Sequence, residues 1–296
     1  INFIGIRESS WTNTIFTAIE VIGLIIIILI GFTISEPEPV NYFESPTGFA
    51  GVIIAFVLIF FAFIGFEDMA NIAEEVRNPK KTIPRAIILS VMISGIIYVL
   101  VSFAVVRVIS WEDLSLSAAP LADVAERGLG TQGHIIFFAI ALFAITNTVL
   151  ITLVAGSRMI YGMAREKLFP DIFTKINSKT KTPWVAVVVI MLISIGFSFI
   201  GNIVIVANIT VFSIVITFAA VNLAVIVLRY TEPDIERKFR IPINIGRFPI
   251  LPMFGLGISL YMTFQFEFEV VLVGLVIIGI GTVFYLIYEK RKVKSG

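Results

Sequence analysis

The sequence predicts an all-α polytopic membrane protein, a helical bundle with about eight transmembrane spans. Three observations carry that expectation. Of 296 residues 58% are hydrophobic and only 15% charged, with mean hydropathy +1.00, whereas a soluble domain is about 45–50% apolar and about 25% charged. The apolar residues run in continuous stretches rather than alternating, which disfavours a lipid-facing β-barrel. Basic residues gather in every second loop, the pattern of a chain threaded repeatedly through a bilayer.

A helix rises about 1.5 Å per residue, so crossing a ~30 Å hydrocarbon core takes roughly 20 apolar residues. Stretches 14–34, 48–74, 84–109, 133–157, 184–200, 203–229, 248–266 and 269–288 meet or approach that standard. In the first, Glu20 lies six residues after Thr14 and is followed by an apolar run to Leu29 and Ile30. A lone carboxylate there titrates, binds a cation or pairs with a polar group on a neighbouring helix. The bland reading starts the span later and lets Glu20 reach the interface.

The second stretch contains Phe61, Ile64, Gly65, Phe66, Glu67 and Asp68. Taken as one straight helix from Phe49 to Val76 it would exceed the core thickness, and its midpoint falls near Gly65, just before two carboxylates. A charge at that depth costs about 2.5–3.5 kcal/mol or more and belongs in a polar cavity. Glycine is a weak helix former, so a break is expected at Gly65. Glu67, Asn71 and Glu74 or Glu75 then form one polar stripe on the second half-helix. The alternative is a helix ending near Gly65 with its acids already at the interface.

The turn Asn78–Arg85 contains Pro79, expected to stop one helix, and Pro84, expected to start the next. Between the third and fourth spans, 117–127 reads as a short amphipathic helix lying on the bundle. The fourth span carries Thr146, Asn147 and Thr148, and the sixth Thr210, Ser213, Thr217 and Asn222. Such groups either line a path or bond across packed helices. Gly128–Gly133 fits G-x-G-x-x-G but follows no strand, so it is not a dinucleotide fingerprint. Asn208–Thr210 is formally a glycosylation sequon, but it lies at or inside the membrane.

Twenty of the 22 Lys and Arg residues fall on one side: Arg7, the loops 77–85, 158–181 and 229–247, and the tail 290–294. The other side holds Arg107 and Arg127 against nine acids, among them Asp123 and Glu126. Both termini are therefore expected in the cytoplasm. The first residue is Ile1 and no signal peptide precedes the first span, so the chain is expected to begin within a longer protein.

Charges balance at 22 basic to 21 acidic, which leaves no nucleic-acid footprint. Cysteine is absent and His134 is the single histidine. Disulfides, thiolate metal sites, a His metal cluster and a Ser/His/Asp constellation are excluded together, so no metal site, cofactor or enzyme activity is expected.

Three segments resemble one known family. Phe60–Ala86 (FFAFIGFEDMANIAEEVRNPKKTIPRA) closely resembles the sixth helix and following loop of the amino acid–polyamine–organocation (APC) permeases. Ser157–Trp184 resembles the end of that family's helix eight, and Asn222–Pro233 the end of helix ten. The resemblance spans essentially the whole chain. It implies twelve helices built on an inverted-repeat, LeuT-like plan, of which helices five to twelve are present and the first four are missing. Residues 1–34 would end the first repeat, about 48–229 form the second, and about 248–288 supply two extra helices, all in a single transmembrane domain over 1–296.

The resemblance also implies roles. Phe61 matches an aromatic gate over the substrate. Phe61 and Ile64 match positions whose backbone carbonyls receive the substrate ammonium, with Gly65, Phe66 and Glu67 completing the substrate segment. Glu67 matches an acidic position tied to proton coupling or gating. Glu20 occupies a helix-five site where many members carry a lysine in place of a sodium ion; a carboxylate cannot mimic a cation, so Glu20 carries the coupling proton or holds Na⁺. Thr146 and Asn147 lie near the helix-eight part of that site.

The function expected is secondary active transport of amino acids or related amines across the cell membrane by alternating access. H⁺ is preferred over Na⁺ as the coupling ion. Small-molecule substrate, lipid bilayer and the missing N-terminal helices of the same protein are the expected partners, with no nucleic acid. The alternative is a non-transporting membrane scaffold or sensor derived from the same fold.

Overall fold

The computed structural model describes residues 6–34, 40–42, 44–71, 76–178, 180, 182–199, 201–237, 239 and 241–295. The helices are α1 (Ile6–Thr33), α2 (Gly48–Phe63), α3 (Asp68–Asn71), α4 (Pro79–Val106), α5 (Trp111–Leu116) and α6 (Pro120–Leu129). They continue with α7 (Thr131–Arg165), α8 (Trp184–Ser198), α9 (Ile203–Thr231), α10 (Ile250–Thr263) and α11 (Phe268–Ser295). The strands described, β1 (Asn244–Ile245) and β2 (Phe248–Pro249), form a two-residue antiparallel ribbon outside the spans.

Five helical segments are long and apolar enough to cross a membrane: Trp11–Thr33, Gly48–Ala70, α4, α7 and α9. α10 and α11 pass only as a pair, bent by 118° across their break, and α8 has 15 residues. The count of eight spans is thus met by five segments singly. Of the remaining three stretches, two form the bent pair, and the third is a helix about 22 Å long at 1.5 Å per residue, short of a full core.

The boundary at Pro79 differs from expectation. α4 begins at Pro79 rather than ending a helix there, and Pro84 lies inside it. Proline suits a first helical position, where its missing N–H would have no partner anyway. Asn78 (φ 52°) makes the turn, and its carbonyl accepts the N–H groups of Lys81 and Thr82 at 3.0 and 3.1 Å.

The chain divides into two compact units. The first comprises Ile1–Glu44, Ile88–Arg165 and Asp171–Met191. Here α1 and α7 run antiparallel, as the Phe16–Phe143 ring pair (5.3 Å) and the approach of Gly23 to Ile140 show. Ile27, Ile30, Val105, Val108, Ala122, Val124 and Phe137 fill the core where α1, the end of α4, α6 and α7 meet. Arg107 Nε donates to the Gly31 carbonyl at 3.1 Å, satisfying one of the open C-terminal carbonyls of α1. The short helix expected over 117–127 is α6, which buries Ala122, Val124 and Ala125 and exposes Glu126 and Arg127.

The Gly128–Gly133 motif has a packing explanation. A Cβ on Gly128 would press into Ile30, and one on Gly133 would sit 2.5 Å from the Ala125 carbonyl, while Gly130 turns the chain at φ 70°. The glycines let α6 fold back on α7.

The second unit comprises Ser45–Ile87, Glu166–Pro170 and Leu192–Gly296. α9 is its axis, capped by the Asn202 side chain, which accepts from the N–H groups of Val204 and Ile205. Val57 of α2, Val211 and Val215 of α9 and Met262 of α10 form one cluster, and Ile209, Phe212 and Val270 another. Lipid tails are as apolar as these side chains, so close packing rather than escape from water holds the helices together. The outward faces remain apolar, with Ile22, Leu29, Ile88, Ile96 and Val221 all exposed to the surrounding medium.

Candidate functional site

Two sets of site residues lie one in each unit. In the second unit α2 stops at Phe63. Ile64 turns to extended backbone (φ −63°, ψ 140°) and Gly65 takes φ 119°, a conformation that other residues rarely adopt. The helix resumes as α3 at Asp68, so the break expected at Gly65 is present. Glu67 reaches back across it, and its Oε2 accepts the Gly65 N–H at 2.9 Å. A carboxylate thus satisfies a backbone donor released where the helix opens.

At the end of α2 the Phe61 carbonyl accepts the Ile64 N–H at 3.2 Å and keeps a second lone pair. The C-terminal carbonyls of a half-helix carry partial negative charge, the right sign for a bound ammonium. The three neighbouring aromatic rings divide their work. Phe60 and Phe66 both pack against Phe218 of α9, at 6.3 and 5.8 Å between ring centroids, whereas Phe61 is 42% exposed. Of the expected polar stripe, Glu74 and Glu75 lie outside the described residues.

The first unit holds Glu20 midway along α1. Asn147 of α7, only 6% exposed, donates from Nδ2 to Glu20 Oε1 at 3.1 Å and to Thr17 Oγ1 at 3.4 Å. The Asn147 Oδ1 is buried without a hydrogen-bond partner. Thr146 is not part of this group: its hydroxyl donates to the Leu142 carbonyl of its own helix at 2.8 Å, and the residue is exposed. Sequence reasoning missed Thr17, which stands one turn before Glu20 on the same helix face. The polar residues of α9 likewise bond within their helix. Thr210, Ser213, Thr217 and Asn222 each donate to the carbonyl four residues earlier, at 2.8–2.9 Å.

The chain thus holds a broken span with a carboxylate at the break and a second carboxylate paired across two helices. The amino acid permease family profile matches residues 1–287. The chain belongs to the amino acid permease family. The chain is 27% identical over 287 residues to a methylthioribose transporter of Bacillus subtilis (strain 168), covering 97% of this chain and 61% of that protein. It is 29% identical over 293 residues to the branched-chain amino acid permease BcaP of the same organism, covering 99% and 62%. With cationic amino acid transporter 4 of Mus musculus it shares 33% over 189 residues, 62% of this chain and 29% of that protein. The chain thus spans about three-fifths of the length of the two Bacillus relatives. The names of these proteins are those of transporters and permeases, not enzymes.

Proposed function

We propose that the permease in its full length is a secondary active transporter of amino acids or related amines. It works by alternating access, coupled to H⁺ in preference to Na⁺, with both termini in the cytoplasm of a cell whose surface membrane it spans. The observation that carries this reading is the break at Ile64–Glu67. It ends α2 at C-terminal carbonyls whose partial negative charge suits an ammonium group, and it sits inside an otherwise apolar span. The relatives' printed substrates, a methylthioribose, branched-chain amino acids and cationic amino acids, support a small polar cargo and leave its side chain open.

Phe61 is the candidate gate, Ile64, Gly65 and Phe66 the substrate segment, and Glu67 the group that couples the break to cargo. Glu20 and Asn147 are the candidate ion-coupling pair, with Thr17 taking the place first given to Thr146. A carboxylate inside a span, held by an amide on the facing helix, is the group to which this reading assigns the coupling proton. No cofactor beyond the ion enters this reading.

The test is uptake by the full-length protein reconstituted in liposomes, screened with labelled neutral and cationic amino acids under inward H⁺ or Na⁺ gradients. Saturable uptake that an imposed pH gradient accelerates is expected. No amine uptake under either gradient would overturn the proposal.

A further inference from the structure

The acid-rich side of the first unit carries a second cluster, remote in sequence from both sets of site residues. Asp123 and Glu126 stand one turn apart on α6, and the chain reverses at Gly130 to place His134 in the first turn of α7. Asp123 Oδ1 and Glu126 Oε2 lie 3.5 and 3.2 Å from His134 Nδ1, and the ligand atoms of the three residues all fall within 4.8 Å of one another. We propose that Asp123, Glu126 and His134 form a divalent-cation site of the zinc class that fastens α6 to the head of α7.

Three observations support a cation at this position. First, His134 Nδ1 is shielded from solvent and makes no hydrogen bond, while two carboxylate oxygens face it at 3.2 and 3.5 Å. Second, the spacing suits a metal. Two ligands on a tetrahedron are separated by roughly 1.63 times the bond length, about 3.4 Å for zinc bonds of about 2.0–2.2 Å. The observed 3.2 and 3.5 Å straddle that edge. Third, one carboxylate is already oriented from outside the cluster. Ser117 Oγ, which itself accepts the Ala119 N–H at 3.0 Å, donates to Asp123 Oδ2 and leaves Oδ1 to face the histidine. Metal-binding carboxylates are commonly held by such outer hydrogen bonds.

The chemistry of the donors selects the metal. An imidazole nitrogen with two carboxylate oxygens favours zinc and its neighbours over magnesium or calcium, which take oxygen ligands alone. Two carboxylates balance the ion's double charge. Side-chain exposures of 35, 36 and 49% for His134, Asp123 and Glu126 leave room for water at the fourth position.

The experiment uses the full-length protein in detergent, stripped with a chelator and titrated calorimetrically with ZnCl₂ or MgCl₂. One Zn²⁺ per chain is expected, with a rise in unfolding temperature and no response to Mg²⁺. His134→Ala should weaken binding by at least about tenfold, the scale on which even outer-shell changes act. Glu126→Gln, at an exposed position where folding is not at stake, should weaken it comparably. Absence of saturable binding at micromolar Zn²⁺, or binding unchanged in both variants, overturns the site and leaves the three residues as an ion-paired surface cluster.

Discussion

At the residue scale the informative pair is Glu20 with Asn147. A carboxylate inside a span needs a partner, because an unpaired polar group there has no water to replace it. Asn147 supplies one hydrogen bond at 3.1 Å, on a side chain that is itself buried. Asn147→Ala removes that donor and leaves Glu20 with Thr17 nearby. The expected loss is about 1–3 kcal/mol, the cost of stranding a buried polar group. Glu20→Gln keeps a carbonyl oxygen that can still accept from Asn147, so stability should change little while dependence of uptake on the ion gradient disappears. With Glu20→Ala, which removes the acceptor, combined with Asn147→Ala the two stability effects should be less than additive, since both remove one bond. Thermal unfolding of the four proteins together with uptake measures this. A fully additive cycle, or gradient-driven uptake surviving in Glu20→Gln, counts against the pair.

Glu20 was legible in the sequence because a charge interrupts an apolar run. Its partners were less so. Thr17 becomes significant only once α7 is seen against α1, and Thr146 and Asn147 differ by about 100° around one helix axis, enough to send one to lipid and the other to the core. The Asp123–Glu126–His134 cluster escaped for a similar reason. A search for several histidines overlooks two acids one turn apart that a single glycine turn folds onto the one histidine present.

At the element scale the break between α2 and α3 was readable almost to the residue. Glycine at mid-span followed by two carboxylates is a local conflict that only an opened helix resolves. Which aromatic faces α9 was not readable, because Phe60 and Phe61 again differ by about 100° and only the tertiary contact with Phe218 decides between them. Gly65 at φ 119° and the Glu67 cap hold the opening. Gly65→Ala places a Cβ in a backbone region costing about 1–3 kcal/mol, so the segment should relax toward continuous helix and close the break. Uptake should then fall to background while the protein still reaches the membrane. Glu67→Gln retains an oxygen for the Gly65 N–H, and Glu67→Ala does not. The glutamine variant should therefore keep the stability that the alanine variant loses, by about 1 kcal/mol for one hydrogen bond. Equal stability in the two would show that the 2.9 Å contact does not hold the break.

At the scale of the whole molecule, hydropathy alone located every apolar stretch, but their lengths as helices were not in it. α8 ends after 15 residues and α10 after 14. Chain direction and bending depend on turns and packing that a running apolar average does not contain. Charge is the stronger signal for orientation. Arg107 and Arg127 are the basic residues on the acid-rich side, and Arg107 is occupied at the end of α1. Twenty of the 22 basic residues fall in the loops that the sequence pattern assigns to the cytoplasm, so the reverse orientation would carry nearly all of them across the membrane. The chain contains no cysteine, so introduced thiols report on it without interference. Leu116, at the end of α5 and 85% exposed, lies on the acid-rich side, and Ser178, also exposed, lies in a basic loop. In a full-length protein with any other cysteines replaced, Leu116→Cys should react with a membrane-impermeant maleimide on intact cells. Ser178→Cys should react only after permeabilisation. The opposite pattern would invert the orientation and turn the Asp123–Glu126–His134 cluster toward the cytoplasm.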